Sequence, residues 1–164
     1  MKNCIIVLIF MVLGLAAQAS GSSYAVADSL PKVFLIGEHD KGYEKLNLTF
    51  DEVLLSVCDN DMSVAYEKWV ALLIDMENYA DQIKYDIKGV KIWINIFFEK
   101  DGTIKHIAYH LKPSSRNIKT EELTAFFSSF MNHYKLPIKA NSRFSHYGSA
   151  SFPTYGKRVT TVRE

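Results

Sequence analysis

The side chains of this 164-residue sequence that could do chemistry are five histidines, Cys58 and a scatter of carboxylates. Spacing limits what each can do. His106 and His110 share one side of an extended segment, but four strand residues hold their Cα atoms ~13 Å apart. One metal ion needs ligands converging within a few ångström, so this pair alone holds none. His133 falls near a predicted helix end, where it meets the helix dipole rather than a substrate. His39 and His146 have no His or Cys at ligand spacing. Neither a metal site nor a cofactor is expected. Gly148-Ser149-Ala150-Ser151 is not the G-x-S-x-G elbow of a serine hydrolase, and no glycine-rich phosphate loop is present. Carboxylates are spread over predicted helix surfaces, where solvation accounts for them. Cys58 follows the apolar run Val53-Leu54-Leu55-Ser56-Val57 and precedes Asp59, Asn60 and Asp61. With no neighbouring cation to favour the thiolate it reads as a small buried hydrophobe. Pairing between chains is the other option for a lone thiol.

Composition narrows the class. Nineteen basic and 18 acidic residues leave a formal charge of +1, which gives no electrostatic case for nucleic acid. An apolar share of 48% excludes intrinsic disorder, and the length suits one domain. Residues 1–19 have a positive start at Lys2, an apolar core from Ile5 to Leu15, and Ala17-Gln18-Ala19 before Ser20. This is the layout of a cleaved signal peptide, too short in its apolar run to span a bilayer. The sequence therefore predicts an exported protein, periplasmic or envelope-associated, with no membrane span after cleavage. Residues 20–31 read as a flexible leader, 32–156 as a single domain and 157–164 as a loose tail.

Elements must position whatever site exists. Lys32 to Ile36 is a candidate strand, and the charged stretch from Gly37 to Lys45 reads as a loop. Thr49-Phe50-Asp51-Glu52 fits a capping box opening a short helix through about Val57. After a turn at Cys58–Asp61, a helix from about Ser63 to Gln82 carries a stripe at Tyr66, Trp69/Val70, Leu73, Met76/Tyr79/Ala80 and Ile83. Together these two form a helical hairpin. Val90 to Phe98 alternates at period two and is the strongest strand signal. Asp101-Gly102 supplies the hairpin turn, and Ile104 to Leu111 the return strand. Thr120 opens a helix with Leu123, Phe126, Phe127, Phe130 and Met131 on one side. Ser142 to Tyr155 reads as a closing strand or two. The fold class is α+β: an N-terminal helical hairpin, then a small antiparallel β-sheet packed against one helix.

The segment from Gly89 to Ile107, GVKIWINIFFEKDGTIKHI, resembles the hairpin of the TonB C-terminal domain, with a helix and a closing strand following in the same order. The likeness is to a stand-alone exported form, since the chain carries no Pro-rich linker. It implies a non-catalytic binding or interaction module with a protein partner in the cell envelope; a homodimer is compatible with it. With Ile92, Ile94, Ile96 and Phe98 facing the helices, Trp93, Asn95 and Phe97 face outward, joined by His106, Ala108 and His110 on the return strand. That aromatic face is the candidate partner site, unless the N-terminal strand and helical hairpin cover it as a second core. Phe144, His146 and Phe152 join the candidates through a closing strand whose edge would accept another chain. Two other classes stay open: a small secreted hydrolase with a carboxylate/His site assembled from distant segments, and an inhibitor or immunity-like protein.

Overall fold

Strand β3, Lys91–Phe98, organises the molecule. Its alternation places Ile92, Ile94, Ile96 and Phe98 on one face, and all four are buried. Burying each such side chain stabilises the fold by roughly 1.5–3 kcal/mol. The computed structural model describes residues 30–155; the predicted signal peptide, residues 20–29 of the leader and the tail at 157–164 lie outside the described residues.

Around β3 the chain forms an α+β fold with a five-stranded sheet in the order β1-β4-β3-β5-β2. Strand β4, Ile104–Leu111, and β5, Phe144–Ser151, flank β3 in antiparallel register. The three-residue β1, Val33–Leu35, and the two-residue β2, Glu52–Val53, run parallel to β4 and β5 at the two edges. The sheet is thus mixed, not antiparallel as the sequence predicts. Strands of two and three residues are too short for any period to show.

Helix α3, Met62–Gln82, and α4, Thr120–His133, pack on the Ile92–Phe98 face. Asp61 caps α3, its carboxylate accepting the Ser63 and Val64 amides at 2.8 and 3.1 Å. The buried stripe of α3 is Ala65, Trp69, Leu72, Leu73, Met76 and Ala80. Trp69, Leu73, Met76 and Ala80 are shared with the predicted stripe, whereas Tyr66 and Ile83 at its two ends are exposed. Glu77, expected on the polar side, is buried and accepts the Thr154 amide at 2.7 Å. On β4, Tyr109 is fully buried and its hydroxyl donates to the Thr120 carbonyl at 2.9 Å, tying the sheet to α4. Cys58 is buried and unpaired, in the turn after the one-turn α2, Leu54–Val57.

The opposite face carries α1, Asp40–Thr49, where the sequence predicts a loop. Tyr43, Leu46 and Phe50 recur along it and pack on Phe34, Phe97 and Ala108 as a second, smaller core. Gly42 hides the pattern; a Cβ there would stand 2.7 Å from Leu30 Cδ1, the end of a flexible side chain. Thr49 ends this helix, its hydroxyl donating to the Lys45 carbonyl at 2.7 Å, so the predicted capping box does not form. Among the described residues no helix is long and apolar enough to cross a membrane.

Candidate functional site

A ten-residue helix is about 15 Å long, and α1 therefore covers only part of the outer sheet face. The covered part takes Phe97, which is fully buried with Tyr43 and Phe50 edge-on to its ring at 6.1 and 5.4 Å. Asn95 is also buried, its amide donating to the Tyr43 hydroxyl at 3.1 Å and to Asn47 Oδ1 at 3.4 Å. Neither presents a surface. His106 is half-buried and Nδ1 donates to the Pro31 carbonyl at 3.0 Å, while burial pulls its pKa below the usual 6.5.

Beyond α1 the face is open. Trp93 is 42% exposed and Tyr147, diagonal to it on β5, is 57% exposed. Their rings lie 12° from parallel with centroids 6.1 Å apart, within the range of favourable aromatic pairs. Lys112, just past β4, places its ammonium 4.0 Å from the Trp93 ring centroid and donates to Ser149 Oγ on β5. His110 is exposed beside Trp93, opposite it in the β3–β4 register. Trp93 and His110 are thus the two sequence candidates that reach this open surface.

The closing strand divides differently from expectation. Phe144 and Phe152 are buried in the main core. His146 faces the helices, its ring 4.4 Å from that of Trp69, and burial pulls its pKa down to about 4. Tyr147 and Ser149, of the other parity, are the residues that join Trp93. Alternation alone did not tell which parity faces out. Gly148 decides it, because Trp69 fills the space where a Cβ would go, 3.0 Å away. Lys112 continues the parity of His106 and His110 one step past the strand, and that was the available signal. The edge of β5 is partly occupied: β2 pairs with Phe144 and Ser145, and among the described residues no strand continues along the rest.

One further cluster lies between α3 and α4. There the Tyr79 hydroxyl sits 3.2 Å from His133 Nδ1, and that nitrogen donates to the Ser129 carbonyl at 2.8 Å. Ser129 Oγ meets the Tyr79 hydroxyl instead of an imidazole, so no nucleophile–base pair forms. Among the described residues no three His, Cys, Asp or Glu side chains come together to hold a metal ion.

The chain matches no protein-family model, no curated protein and no solved structure. Its chemistry must therefore be read from its own surfaces.

Proposed function

We propose that this protein is an exported, non-catalytic binding module of the cell envelope, related in plan to a stand-alone TonB C-terminal domain, and that it holds a protein partner at the Trp93–Tyr147 end of its outer sheet face. The observation that carries this reading is the parallel aromatic pair left uncovered by α1, with Lys112 and His110 around it. Exposed aromatic surface rimmed by polar groups marks interaction sites. The open stretch of the β5 edge beside the pair adds backbone donors and acceptors for a partner chain. The order hairpin, helix, closing strand supports the TonB-like plan, and the layout of residues 1–19 supports export.

The test is capture from an envelope extract with wild type and with a Trp93→Ser/Tyr147→Ser variant as baits. The variant keeps the fold, checked by circular dichroism, and loses the captured protein. Equal capture by both baits contradicts the reading.

A further inference from the structure

The open half of the outer face carries cations that form no ion pair among the described residues. By strand alternation Lys91 and Trp93 of β3, His110 and Lys112 at the end of β4, and Tyr147 and Ser149 of β5 share this surface. None of them is a carboxylate. The ion pairs of the described residues form elsewhere, at Arg116–Asp86, Lys119–Glu122, Lys135–Asp101 and Arg143–Glu99. Lys91, His110 and Lys112 take part in none of these. The Lys112 ammonium has three N–H donors, of which Ser149 takes one while the Trp93 ring lies under the charge. Among the described residues, no carboxylate pairs with the remaining donors or with Lys91.

We propose that the partner presents an acidic segment here: an extended peptide whose carboxylates meet Lys112 and Lys91 while an apolar side chain rests against Tyr147. This rests on the reading that the partner seats at the Trp93–Tyr147 end. Charge complementarity sets the sign, since an acidic segment supplies the anions that this face lacks. Two observations favour a peptide over an acidic polysaccharide. Lys112 lies over the Trp93 ring, the surface a sugar ring would need. Beside the patch, the β5 edge beyond Ser145 has no neighbouring strand among the described residues, and its amides and carbonyls suit another peptide backbone.

The experiment is selection of random linear peptides displayed on phage against the full domain, followed by affinity measurement on the enriched peptides. Asp and Glu are expected to be enriched. Lys112→Glu should weaken binding about tenfold, Lys112→Gln less, and a rise from 50 to 500 mM salt should weaken it by a similar factor. Trp93→Ser/Tyr147→Ser should abolish it. Enriched peptides with no acidic excess, indifferent to Lys112→Glu and to Lys91→Glu but lost in the aromatic variant, overturn the acidic partner and leave the binding face standing. Peptides that bind the aromatic variant unchanged overturn both. Failure to enrich any peptide overturns the proposal, and if an oligogalacturonate then binds and is lost on Lys112→Gln, the occupant is an acidic polysaccharide. Each variant is compared with wild type by thermal unfolding, and Lys112→Gln stands in should the charge reversal fail to fold.

Discussion

Trp93 and Phe97 project from the same face of the same strand, yet Phe97 is 0% exposed and Trp93 is 42% exposed. The boundary between them is the end of the cover supplied by α1. One strand therefore carries two roles at a spacing of four residues. Its lower half closes a second core and its upper half presents an aromatic pair.

That division predicts opposite responses to truncation. Phe97→Ala removes a buried ring packed by Tyr43 and Phe50, and should cost ~3–5 kcal/mol in urea unfolding. Trp93→Ser removes a ring that is 42% exposed and should cost less than ~1.5 kcal/mol. Similar losses at both positions would show that the face is evenly covered.

The hairpin turn makes a backbone prediction. Gly102 has φ +86°, and a Cβ there would run into the Leu136 carbonyl oxygen, whose segment returns from α4 to the turn. Gly102→Ala should destabilise the domain by at least ~2 kcal/mol in the same unfolding assay. A neutral result would mean that the α4–β5 connection does not hold the turn.

His146 makes the stability pH-dependent. Burial against Trp69 lowers its pKa from 6.5 to about 4, so the unfolded chain binds the proton more readily. Its contribution is fully present above pH 6.5 and is lost as pH falls toward 4, by up to ~3 kcal/mol. His106, lowered in the same direction by burial, adds to the slope. Unfolding midpoints measured from pH 7 to pH 4 should fall, and His146→Phe should flatten most of the fall.

Cys58 is buried and unpaired, and burial pushes its thiol pKa up, outweighing the nearby Lys68. A thiol reagent at pH 7.5 should label it far more slowly in the native protein than in urea. Immediate labelling of the native state would place the thiol at the surface.

Legibility in the sequence followed element length and period. The eight-residue strands β3 and β4 and the helices α3 and α4 announce themselves, because their apolar faces repeat over several turns or pleats. Strand β2 does not, since two residues carry no period. Helix α1 was hidden by Gly42 and by its charged residues, though Tyr43, Leu46 and Phe50 hold the helical spacing. Alternation separates the two faces of the hairpin and places Trp93 and His110 on the same one. The site's other half was not legible: Tyr147 and Lys112 become neighbours of Trp93 only through the β3–β5 register and the reach of one lysine. Local pattern encodes parity within a strand, whereas the face that stays uncovered depends on how far a neighbouring helix extends.

The central claim is that the partner seats on the Trp93–Tyr147 end of the sheet. A photo-crosslinking amino acid at position 147, compared with the same residue at position 66 on exposed α3, tests it most directly in intact cells. The account predicts a discrete protein adduct from position 147 and none from position 66. An adduct from position 66 with none from 147 would contradict it.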